Sequence, residues 1–126
     1  MAVAQIEYFH NELSDWKKSF QFFKDEISIF NKRLAEVLHR NSKAGTLAQV
    51  EQFQNQFILQ NEQFDILRHE VHVLEAGAEK NLLLQGKPFS EQALKDQHLL
   101  RERIFQAERI FLETKHEFYR FLSKVF

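Results

Sequence analysis

Apolar residues recur along this chain in alternating steps of three and four. From Ile6 the series runs Phe9, Leu13, Trp16, Phe20, Phe23, Ile27, Phe30, Leu34 and Val37. A repeat of this kind marks a long helix with a continuous buried seam. A second series comprises Val50, Phe53, Phe57, Gln60, Phe64, Leu67, Val71, Leu74 and Ala78. The third comprises Ala93, Gln97, Leu100, Ile104, Ala107, Phe111, Thr114, Phe118, Phe121 and Val125. The period lies nearer 3.5 than 3.6 residues, which predicts a left-handed supercoil. Gln60, Gln97 and Thr114 interrupt the apolar seams. Buried hydrogen bonds between helices would make them register pins, but the plainer expectation is that they sit where the bundle admits water.

Two breaks separate the series. Residues 41–46 read as a helix C-cap followed by an N-cap, with Thr46 and Gln49 at capping-box spacing. Gln85–Gly86–Lys87–Pro88–Phe89 is the second break, after which Ser90 or a neighbour opens the last helix. Gly77 is a weaker signal, since one glycine costs a helix only about 1 kcal/mol; a bend there, with 78–86 as a separate short turn, is the alternative. The spacing predicts helices over 3–41, 47–84 and 90–125 with short connections, which force antiparallel neighbours. The expected fold is therefore all-α: one domain over 1–126, an antiparallel up-down-up bundle of three long helices. The 14 phenylalanines favour the wide core of a bundle over a narrow two-stranded rod.

Further large apolar residues lie off the seams. Helix one carries Phe22 and Ile29 seven residues apart, with Tyr8 on the same line, about 130° from the seam centre at 100° per residue. Helix two carries Leu59, Ile66 and Val73 at a similar offset. The line Phe105, Leu112, Tyr119 and Phe126 reads as closer to its seam and is expected to widen the face buried inside the monomer. A three-helix monomer buries one face of each helix, so a second stripe calls for another subunit. We therefore take Phe22, Ile29, Leu59, Ile66 and Val73 as candidate interaction residues. A homodimer is the first expectation, and a helix from a different protein is the second.

Composition narrows the functional classes. Of 126 residues, 44% are apolar and 28% charged, which is globular rather than disordered. No stretch approaches the roughly 18 uninterrupted apolar residues of a membrane-spanning helix. The N-terminal segment turns polar too early for a signal-peptide core, so a cytoplasmic location is expected. Net charge is −1, and basic residues stand beside acidic ones, as in Arg101–Glu102–Arg103. That distribution gives no reason to expect nucleic-acid binding.

The absence of cysteine excludes thiol chemistry. Phosphate-binding loops, nucleophile elbows and seam-facing carboxylate pairs are also missing, so no catalytic residue, enzymatic activity or cofactor is expected. Six histidines raise the question of a metal, and Glu7–His10, Glu36–His39 and Glu113–His116 share the Glu-x-x-His spacing of di-iron bundles. Yet His39, His69, His72 and His116 point away from the seams, and only His10 and His98 flank them. No metal site is expected. The competing reading is a zinc or di-iron/manganese bundle using His72 and His98 with Glu102 or His10.

Overall fold

The computed structural model describes residues 2–41, 43–86 and 90–126. The described chain forms three helices: α1 (Ala2–Arg40), α2 (Ala44–Gln85) and α3 (Glu91–Val125), and no strand occurs among the described residues. They pack as a bundle in which α2 runs antiparallel to both neighbours. At 39, 42 and 35 residues the helices are roughly 50–60 Å long at 1.5 Å per residue.

The helix ends follow local chemistry, with one departure from the sequence pattern. Ser90 caps α3, its hydroxyl accepting a hydrogen bond from the Ala93 amide at 3.1 Å, a cap worth about 1 kcal/mol. Gly86 closes α2 in the left-handed region (φ 70°), its amide donating to the Leu82 carbonyl at 3.0 Å. A side chain at that φ would be strained, so glycine suits the position. The first connection is tighter than expected. Helix α2 begins at Ala44, with Lys43 as an N-cap that supplies no side-chain hydrogen bond. The Thr46–Gln49 capping box therefore does not form, because Thr46 already lies in the first helical turn. Gly45 is likewise helical. Gly77 lies inside an unbroken α2, so the four-segment alternative is not adopted. Ser42, Lys87, Pro88 and Phe89 of the expected connections lie outside the described residues.

The three predicted seams make the core. Every member of the α2 series is buried, and so are those of α1 and α3 apart from Ile6, Phe23, Ala93 and Val125, which are partly buried. The core is stacked in layers. Phe23, Phe64 and Phe111 form a triangle with ring centroids 5.1, 5.2 and 5.9 Å apart. One heptad away, Phe30, Phe57 and Phe118 form a second, at 5.6, 5.4 and 5.0 Å. Each ring in such a layer is worth about 3–5 kcal/mol on truncation to alanine.

Gln60 and Thr114 lie between these aromatic layers, where each is less than a tenth exposed. The Gln60 amide Nε2 donates to Thr114 Oγ1 at 2.8 Å, and that hydroxyl donates back to the Ile110 carbonyl at 3.1 Å. Gln97 is also buried and donates to Glu12 Oε1 at 2.9 Å. Gln60 and Gln97 thus join helices directly, in keeping with the register-pin reading, and Gln60 also borders an open cavity.

Candidate interaction surfaces

Ion pairs along the seam flanks fix which side of each helix meets which neighbour. Between α1 and α3, Arg101 donates to Glu12 at 2.7 and 3.0 Å, and Lys115 donates to Glu26 at 2.6 Å. These hydrogen bonds hold both Arg101 and Lys115 in their charged forms, raising their pKa values against the opposing effect of burial. Between α1 and α2, Lys17 donates to Glu75 at 2.9 Å, and Lys24 pairs with Asp65. Between α2 and α3, Arg103 pairs with Glu70.

This frame assigns the off-seam apolar residues to faces. All five sequence-derived candidates are half exposed or more: Phe22 58%, Ile29 55%, Leu59 65%, Ile66 50% and Val73 55%. They do not form one patch. Phe22 and Ile29 lie on the helical line next to Glu12 and Glu26, hence on the α1–α3 face. Leu59, Ile66 and Val73 lie next to the Glu70 line, on the α2–α3 face. The line on α3 differs from expectation. Phe105, Leu112, Tyr119 and Phe126 are 68%, 45%, 46% and 51% exposed, so they do not widen the monomer core. The ion pairs to Glu12 and Glu26 occupy the flank between that line and α1. Tyr119 still rests its ring edge on Phe30 at 5.7 Å, and the Arg40 guanidinium lies 5.2 Å from the centre of the Phe126 ring.

The α2–α3 face is an open groove with two cavities of about 530 and 540 Å³. Val73 and Leu99 line the first, Leu59, Ile66 and Ile110 line the second, and Arg103 borders both. The Arg103–Glu70 pair therefore bridges the groove between them. Leu99 and Ile110 escaped the sequence reading because they belong to different heptad lines and repeat on neither. Their shared groove becomes visible only once α2 is in place. The α1–α2 face is different in kind: Lys24, Ser28, Asn31, Lys32 and Asn61 line its cavity, with Ala35 as the one apolar side chain there.

The histidines are not gathered. His98 Nε2 lies 3.4 Å from Glu102 on an exposed turn of α3. Asp65, one heptad before His72, pairs with Lys24, which puts His72 on the α1–α2 face. His98 instead shares its line with Phe105 and Tyr119 on the α1–α3 face. His10 is half-buried and sets its ring edge-on against Phe9 at 5.7 Å. Among the described residues, no group of three or more His, Asp or Glu side chains is placed to hold a metal. No described helix is long and apolar enough to cross a membrane.

At the end of the bundle where α1 leads into α2, Arg33 pairs with Glu36 at 3.2 Å. The facing Gln49, Gln52 and Asn55 are exposed, and Gln56 is half-buried. No protein family, curated protein or solved structure compared with the chain matches it.

Proposed function

We propose that this chain is a non-enzymatic helical interaction module whose first partner is a second copy of itself. The observation that carries the reading is the line Leu59, Ile66 and Val73, solvent-facing over three heptads and opening onto a groove with Leu99 and Ile110. Exposed apolar residues are ordinary when scattered, but contiguous patches mark contact surfaces. Size supports it as well. A stable interface buries about 800 Å² per partner, and a face two helices wide and tens of ångströms long exceeds that.

Sedimentation equilibrium across about 1–100 μM, within the range where such interfaces dissociate, tests the reading. A concentration-dependent rise to the dimer mass is expected, abolished by Ile66→Glu with helicity retained. A monomer over the whole range would remove self-association. Loss of helicity in Ile66→Glu would instead place Ile66 in the monomer core.

A heterotypic partner is the second reading, and the separate α1–α3 face favours it. With α2–α3 surfaces engaged, Phe22, Ile29, Phe105 and Leu112 remain open to an amphipathic helix of another protein.

A further inference from the structure

We propose that two copies join through their α2–α3 faces about a twofold axis crossing the helices at Ile66, so that α2 packs antiparallel on α2. The proposal rests on the self-association reading above and adds its geometry. The apolar line on α2 is its own complement under this rotation. Leu59 and Val73 each stand seven residues from Ile66, so Leu59 meets the second copy's Val73 and Ile66 meets its own counterpart. Gln52 and Lys80, the next members of the same line, meet each other at the two ends.

The charges on α3 fit the same rotation. Gln60 stands opposite Thr114 and Phe53 opposite Phe121, so Ile66 is level with position 108. Reversal about that level sets Arg103 against the second copy's Glu113 and Asp96 against the second copy's Arg120. Each pair is made twice, as an isologous contact requires. Glu113 and Arg120 are exposed, and Asp96 lines the groove. Arg103 already holds Glu70, but a guanidinium carries five donors and can serve both carboxylates.

The alternative twofold, parallel to the helices, lays α2 over the second copy's α3. It would set the apolar line against Arg103, Gln106 and Glu113 as well as Leu99 and Ile110, so polar groups interrupt a contact that the antiparallel rotation keeps apolar along α2. The α1–α3 face is apolar along its α3 line, but its α1 line is not self-complementary, since it carries Asp15 between Tyr8 and Phe22, and Glu36 after Ile29.

The chain has no cysteine, so an introduced pair reports the geometry directly. Under mild oxidation Ile66→Cys is expected to give a disulfide-linked dimer. Leu59→Cys and Val73→Cys should not cross-link alone, because like residues stand about 20 Å apart along antiparallel helices, beyond disulfide reach. Mixed together, they should link to each other. In the charge arm, Asp96→Arg or Arg120→Asp should raise the dimer dissociation constant about fivefold or more, and the doubly exchanged chain should recover most of the loss. A wild-type dimer in which Ile66→Cys stays unlinked would overturn the antiparallel geometry while leaving self-association standing. A wild-type monomer at 100 μM, on the order of the weakest relevant affinity, would overturn both.

Discussion

The hydrogen bond from Gln60 to Thr114 sets two single substitutions apart in sign. Gln60 Nε2 is satisfied at 2.8 Å, but its buried Oε1 has no hydrogen-bond partner among the described residues. A buried polar group without a partner costs about 1–3 kcal/mol, whereas a made hydrogen bond returns only about 1 kcal/mol net. Thr114→Val removes the acceptor and strands the amide N–H between two phenylalanine layers, while Oε1 stays unsatisfied. The gain from a better-packed methyl offsets part of this, so we expect a loss of about 1–2 kcal/mol. Gln60→Leu keeps the volume and removes both ends of the amide. The Thr114 hydroxyl still has the Ile110 carbonyl at 3.1 Å. That substitution should be neutral or stabilising by up to about 2 kcal/mol, as should the double variant. Urea unfolding at one fixed protein concentration measures these differences through midpoints at constant m. Equal destabilisation by both single variants would refute the reasoning, since it would mean that the Gln60 carbonyl is satisfied in the folded protein.

Two further outcomes follow from single residues. Glu108 is partly buried on the α3 flank facing α1, and burial raises its pKa. A carboxyl whose folded pKa exceeds its unfolded value imposes no penalty when both states are protonated, and penalises folding as pH rises through the folded value. Glu108→Gln should therefore stabilise at pH 7, with the gain shrinking towards zero below about pH 4.5, near the unfolded carboxyl value; a gain unchanged by acid in parallel urea titrations would rule this out. Gly77 is helical and a Cβ there would meet nothing within 4 Å. Gly77→Ala should add about 0.5–1 kcal/mol, and a drop in thermal midpoint would show that the position needs glycine.

The helices and core were legible in the sequence because seam residues obey a purely local period. Leu67 is buried for the same reason as Leu34: each falls on the three-four repeat, and nothing about the neighbour need be known. The direction of the second stripes was not legible. Seen alone, Phe22 and Ile66 occupy equivalent positions on their helices, and only the arrangement of neighbours sends one to the α1–α3 face and the other to the α2–α3 face. The reading of the α3 line failed on angle. At 100° per residue Phe105 stands more than about 100° from the midpoint of Ile104 and Ala107, past the flank that Arg101 and Lys115 fill against α1, so it stays exposed. The buried role of Gln60 was equally unreadable, since its partner Thr114 is 54 residues away. Thr46 is a different kind of miss. A capping residue works only with non-helical backbone, and the chain had already entered the helix two residues earlier, at Ala44.

The flank charges answer a question that the seams leave open, namely which way the third helix turns around the first two. Three apolar seams pack about as well in either of the two mirror-related arrangements, because each seam is roughly symmetric about its own axis. The flanks are not. Helix α1 carries Glu12 and Glu26 on one side and Lys17 and Lys24 on the other. In the observed arrangement the acidic side meets Arg101 and Lys115 of α3, while the basic side meets Glu75 and Asp65 of α2. Glu70 is then left to meet Arg103. The opposite turn would bring the Glu12–Glu26 flank against the Glu70 flank, acid against acid. A flank pair near solvent is worth about 0–1 kcal/mol, and the Glu12 and Glu26 pairs are only partly buried, so none of these bonds holds the bundle together. As a set they favour one arrangement over its mirror by several such increments, and that choice decides which grooves the exposed apolar lines enter. The flank ion pairs thus agree with the topology that sets Leu59, Ile66 and Val73 beside Leu99 and Ile110.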